Sequence, residues 1–176
     1  MNRLILIHSA LNCPYKKSFF LVFLCSLIGC AHEPLRLVPP QTPPPKKSFA
    51  VIRDYNTTWN ALLRAVDEMR GPPVKSYRRE SGTVVLEPVS VRIEQYCDCG
   101  KLGDIPLTGM AQRKGVVKLK TGAPQETLVE ISCDYSTTHT WKDIYGKVVR
   151  TETIPCISNG RFEREFYQGL IRYLSP

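Results

Sequence analysis

The residues of this 176-residue chain best suited to chemistry are its seven cysteines: Cys13, Cys25, Cys30, Cys97, Cys99, Cys133 and Cys156. In Cys97-Asp98-Cys99 two thiols stand close enough to chelate a soft metal, to enter disulfides, or to exchange with one. An odd number in an exported chain leaves one thiol over. Zinc is the weakest of these readings. His139 is the only histidine beyond residue 48, and no second closely spaced cysteine pair completes a ligand set.

No familiar catalytic set accompanies them. The chain has no Gly-x-Ser-x-Gly elbow, no His-Glu-x-x-His, no phosphate loop ending in Gly-Lys-Ser/Thr and no Gly-x-Gly-x-x-Gly. His139 lies among threonines over 136–141 and reads as a packed or solvated strand residue rather than an acid–base group. Glu163 and Glu165 fall in the first turn of a helix, where the macrodipole favours negative charge, and nothing else suggests a carboxylate hydrolase. Arg78-Arg79, Arg113-Lys114, Lys118 and Lys120 read as solvated strand faces. Their alternative role is to hold lipid phosphates or peptidoglycan carboxylates. The formal charge is +8, but Lys16, Lys17, Lys46 and Lys47 precede the domain that the later residues form. The remaining excess suits a solvated surface facing anionic lipid or a partner, not nucleic acid. No enzyme activity, cofactor or metal is expected.

The N-terminal residues set the compartment. Lys16 and Lys17 precede the apolar run Phe19 to Ile28. Ten residues rise about 15 Å as a helix, half of what a bilayer core requires. A positive flank, a short apolar stretch and a small residue at its end make a secretory signal. Leu27-Ile28-Gly29-Cys30 resembles the lipobox of bacterial lipoproteins. That resemblance implies cleavage after Gly29, acylation of Cys30 and, with Ala31 next, residence in the outer membrane. A single acyl chain anchors only marginally, whereas the two or three chains of such lipoproteins hold firmly. Residues 1–29 are then a leader that carries Cys13 and Cys25 away. Residues 30–47 hold six prolines between 34 and 45 and read as an extended spacer.

Residues 48–176 have the length of one domain. Four cysteines remain there, an even set in an oxidising compartment, and four allow three pairings. The readings are two disulfides, one disulfide with two free thiols, or metal and redox work. Asn56 or Thr57 caps a first helix with Trp59, Leu62, Leu63, Val66 and Met69 on one stripe, stopped by Gly71-Pro72-Pro73. Strands follow at 74–79 and 83–88, turning at Glu80-Ser81-Gly82. Residues 93–112 read as an irregular loop that a disulfide would staple. Strands at 116–121 and 128–138 alternate, with Val129, Ile131, Cys133 and Tyr135 on one face. Residues 140–143 and 147–154 suggest a hairpin around Ile144-Tyr145-Gly146. A last helix starts near Ser158-Asn159-Gly160 with Phe162, Phe166, Leu170 and Tyr173 in register. The expectation is α+β: an antiparallel sheet with two helices packed on one face.

Tyr55 and Trp59 opening a helix, Glu80-Ser81-Gly82-Thr83-Val84, Asp98-Cys99-Gly100, and Cys156-x-Ser158-x-Gly160 before a helix carrying Glu163 are similar to BamC-like (NlpB-like) outer-membrane lipoproteins. The resemblance implies a β-α-β(n)-α domain and a Cys99–Cys156 disulfide, which leaves Cys97 for Cys133. Closing the Cys99–Cys156 loop stabilises by about 4 kcal/mol in the chain-entropy model. The anchor, the spacer and the missing chemistry point to a non-enzymatic protein-binding module, held at the outer membrane through Cys30 and serving outer-membrane protein assembly. The alternative is a lipid- or peptidoglycan-binding lipoprotein that uses the basic strand residues. BamC itself has two such domains, and this chain has room for one.

Overall fold

The elements, in chain order, are β1 (Leu37–Val38), β2 (Ser48–Val51), α1 (Tyr55–Glu68), β3 (Val74–Arg78), β4 (Thr83–Leu86), β5 (Val89–Arg92), α2 (Ile93–Tyr96), β6 (Cys97–Asp98), β7 (Lys101–Leu102), β8 (Ile105–Pro106), β9 (Met110–Thr121), β10 (Thr127–Lys142), β11 (Val148–Ser158) and α3 (Arg161–Leu174). They belong to a computed structural model that describes residues 36–68 and 73–175. The leader, the lipobox with Cys30, Met69 and Gly71-Pro72 lie outside the described residues.

This is an α+β fold built on β10. The main sheet runs β3-β4-β9-β10-β11-β6, antiparallel throughout, with β5 alongside β9 and β2 alongside β10. β11 and β2 share one edge of β10: β11 pairs along Tyr135–Lys142 and β2 along Thr127–Glu130. Strict alternation fixes the register. Ala111, Arg113, Val117 and Leu119 of β9 are buried, as are Val129, Ile131, Cys133 and Tyr135 of β10, while the residues between them are more exposed. Those faces share one core with Trp59, Leu62, Ala65 and Val66 of α1 and Phe162, Phe166 and Leu170 of α3. Each fully buried side chain of this size stabilises by roughly 1.5–3 kcal/mol.

Several expectations change. α1 is capped by Asp54 rather than Asn56 or Thr57: its carboxylate accepts from the Thr57 N–H at 3.0 Å and the Thr57 hydroxyl at 2.6 Å. Those bonds hold the Asp54 carboxyl below its ordinary range, against a small opposing desolvation. The expected loop at 93–112 is a string of short elements, α2 to β8, followed by the first residues of β9. β10 continues unbroken to Lys142.

The expected spacer folds back from residue 36. Leu37–Val38 pairs with Lys101–Leu102, and the Lys47 carbonyl accepts from the Ile131 N–H at 2.7 Å. The Thr42 hydroxyl and the Gln41 N–H donate to Asp98 Oδ2 at 2.7 and 3.3 Å. Burial works to raise the Asp98 carboxyl, but these bonds and the Gly100 N–H outweigh it and hold it low. Prolines cannot donate to a ladder, yet the residues between them keep their N–H groups and use them here. Arg36 onward therefore belongs to the same compact unit as the rest of the domain.

Candidate functional site

The antiparallel register places Arg113 directly across from Tyr135, and Gly115 across from Cys133. Beyond them the end of β11 supplies Ser158, and the first turn of α3 supplies Glu163. The Ser158 hydroxyl donates to Glu163 Oε2 at 2.9 Å and accepts from the Gly160 N–H at 3.1 Å. Gly160 adopts φ 79°, a left-handed turn that lets the chain pass from strand to helix within two residues. Arg113 is 5% exposed and Glu163 only 1%. Expected among solvated strand charges and macrodipole carboxylates, both are instead inside the fold.

The polar cluster so formed is under-satisfied. Among the described residues, Arg113 Nε, the Tyr135 hydroxyl and Glu163 Oε1 are buried with no hydrogen-bond partner. Leaving such a group unpaired destabilises by about 1–3 kcal/mol. Burial, then the Glu163 carboxylate, pushes the Cys133 thiol up to about 12. Burial, with Cys133 and Glu163 adding to it, drives the Tyr135 phenol well above its usual range. Neither is a nucleophile at neutral pH.

Arg113 also lines a groove of about 730 Å³ between α1, α3, β5 and α2. Its guanidinium carbon lies 3.8 Å from the centroid of the Phe162 ring and 5.8 Å from that of Tyr96. Arg92 and Arg172 line the same groove, as do Glu68 and Glu165. Glu165 is already held by Arg161 at 2.7 Å.

The sulfur chemistry is settled by strand order. β6 meets β11 with Cys97 across from Ser158 and Asp98 across from Ile157. Continuing that register by one residue brings Cys99 to Cys156, and these two form a disulfide with Cα atoms 4.1 Å apart. The expected Cys97–Cys133 bond is not formed: both are buried free thiols. β11 lies between β6 and β10, so their cysteines stand two strand spacings apart, about 10 Å. A disulfide cannot span much beyond about 7 Å between Cα atoms. Cys97 Sγ instead rests 3.9 Å from Cys99 Sγ. Burial, with Asp98 and Glu94 adding to it, raises the Cys97 thiol to about 11. Cys97, Cys99 and Cys156 are the only metal-compatible cluster among the described residues, and two of the three are spent in the disulfide.

A second feature lies outside the core. β9 stops pairing with β10 at Ser136, so Thr137–Lys142 and their β11 partners continue as a two-stranded ribbon. One ribbon face carries His139, Trp141, Arg150 and Glu152. His139 sits edge-on to Trp141 at 4.4 Å, Arg150 lies 5.2 Å over the Trp141 ring, and Arg150 pairs with Glu152 at 2.8 Å. Thr138, Thr140, Thr151 and Thr153 make the other face. Asp143 Oδ1 accepts from the N–H groups of Tyr145 and Lys147, which ties the tip. Ile144 is 91% and Tyr145 87% exposed there.

Of the residues singled out in sequence, the structure joins Cys99 to Cys156 and brings Cys97 beside them, while Cys133 joins Arg113 and Glu163. Lys118 and Lys120 lie on the exposed face of β9, with Lys120 bound to Glu130 at 2.6 Å. Arg113 is the residue that sequence reasoning misplaced. Its signal was its phase, two residues from Ala111 and from Gly115 on the buried side of β9. Among the described residues no helix is long and apolar enough to cross a membrane. No family model and no curated protein matches the chain.

Proposed function

We propose that the chain is a non-enzymatic lipoprotein, anchored through acylated Cys30 at the periplasmic face of the outer membrane. Its BamC-like domain binds envelope protein and assists the assembly of outer-membrane proteins. The lipobox-like Leu27-Ile28-Gly29-Cys30 supports the anchor, and the order strand, helix, many strands interrupted by the short α2, then helix is compatible with the BamC-like reading.

The observation that carries the binding role is the ribbon. An isolated two-stranded hairpin is marginal in water, and natural proteins avoid unpaired edges because they recruit other strands. Here β10 from Thr137 and β11 up to Ile154 each keep one edge without a neighbour among the described strands. The tip adds exposed apolar area at Ile144, Tyr145, Val148 and Val149. An extended segment of an envelope protein, adding as a strand along this edge, is the occupant that chemistry fits. Lys118 and Lys120 as a lipid or glycan site have less support, since Glu130 already engages Lys120.

The test places a photo-crosslinking residue at Val149, exposed on the same ribbon, and irradiates intact envelopes. Recovery of an envelope protein, lost on I144S/Y145S with the domain still folded, is expected. Recovery of no envelope protein from any ribbon position sinks the reading.

A further inference from the structure

We propose that the groove lined by Arg113 binds a monocarboxylate with an apolar body, with Arg113 as its buried cation. This does not rest on the protein-binding reading, since no ribbon residue lines the groove.

Three observations point to such a ligand. Arg113 is nineteen-twentieths buried, yet no carboxylate among the described residues forms an ion pair with it, and its Nε has no acceptor. Glu163, its neighbour in the polar cluster, neither lines the groove nor comes within ion-pair distance. A buried guanidinium left without a counter-ion is unfavourable, and a planar anion offers it charge and two acceptors together. Second, the groove is the size of a small-molecule site, about 730 Å³, and sets apolar Val89, Val91 and Met110 beside the polar side chains of Ser90, Gln95 and Gln168. Third, the lining charge favours an anion: Arg92, Arg113 and Arg172 stand against Glu68 and a Glu165 that Arg161 already holds.

The stacking of Arg113 on Phe162 supports the same role. The ring fixes the plane of the guanidinium, so the fork is oriented before the ligand arrives and loses little freedom on binding. Tyr96 and Tyr173 border the groove and can cover an aromatic or aliphatic body. A free small acid and a peptide C-terminus share this chemistry.

The experiment titrates the full chain with N-acetyl-phenylalanine, its amide, inorganic phosphate and a tripeptide with a free C-terminus, following the Arg113 Nε–Hε resonance by NMR. The acid is expected to give a saturable shift, and the amide to bind about tenfold more weakly or worse, as a lost charge-assisted pair requires. Tighter binding of the tripeptide than of the single residue assigns the site to peptide ends, and the reverse assigns it to free acids. R113M is expected to abolish saturation. If that variant does not fold, the exposed pair R92Q/R172Q carries the test and is expected to weaken the acid severalfold without altering the amide. Equal shifts by acid and amide, phosphate binding as tightly as the acid, or no saturation at millimolar concentrations overturns the proposal.

Discussion

Removing the Cys99–Cys156 disulfide is the sharpest probe of how this domain is held. The bond closes a loop with a sequence separation of 57. In the chain-entropy model such a loop stabilises by about 4 kcal/mol, acting on the unfolded chain. Single domains have only about 5–15 kcal/mol in total, so the loss should move the urea midpoint far. The neighbouring thiol adds a discriminating control. Cys97 Sγ lies 3.9 Å from Cys99 Sγ, so C156S leaves a route to a Cys97–Cys99 bond. That bond spans a single intervening residue and constrains the unfolded chain very little. Oxidised C156S should therefore be as unstable as the C99A/C156A double variant, both about 4 kcal/mol below the parent. Urea unfolding with and without reductant, beside mass mapping of non-reduced peptides, measures this directly. A loss below about 1 kcal/mol, or a Cys97–Cys133 peptide in the native protein, would refute the strand-order reasoning behind the assignment.

Three further outcomes follow from the same geometry. Burial raises Cys97 to about 11 and Cys133 to about 12, so the fold keeps two protons that the unfolded chain gives up near its ordinary thiol pKa. Stability should then fall as pH rises past about 9, by about 1.4 kcal/mol per unit for each thiol until its native pKa is passed. C97A/C133A should lose that part of the slope in urea titrations run from pH 7 to 11, and an unchanged slope would contradict it. Gly82 has φ +61°, and a Cβ there would collide with the Leu119 carbonyl and approach the Tyr55 hydroxyl to 2.9 Å, so G82A should cost about 2 kcal/mol or more by thermal unfolding. D54A should lower the melting temperature by a few degrees while D54N should not. Because the Asp54 carboxyl is held below its ordinary value, its contribution is present above that value and is lost as pH falls through the native one.

What could be read from the sequence was whatever repeats over several turns or strand residues. Phe162, Phe166 and Leu170 recur at four-residue spacing, and α3 lies where that stripe places it. Val129 to Tyr135 alternate, and β10 follows. The start of α1 was misread because the polar run Asp54 to Thr58 offers several caps, and only the bonds from Thr57 choose Asp54. The stretch after Arg92 escaped because its elements are two to four residues long, shorter than any period that could announce them. The site depends on something less local still. Cys97 and Cys99 are two apart on one face, so only one of them can stand across from Cys156, and the register of β6 on β11 decides which. No pattern within either segment encodes that register. Arg113 differs, because it shares the buried phase of β9 with Ala111, Gly115, Val117 and Leu119, but the strand was expected to begin only at residue 116. A charge in the buried phase of a strand is costly unless something meets it, and that conflict between phase and charge marks the groove more clearly than any motif in the chain.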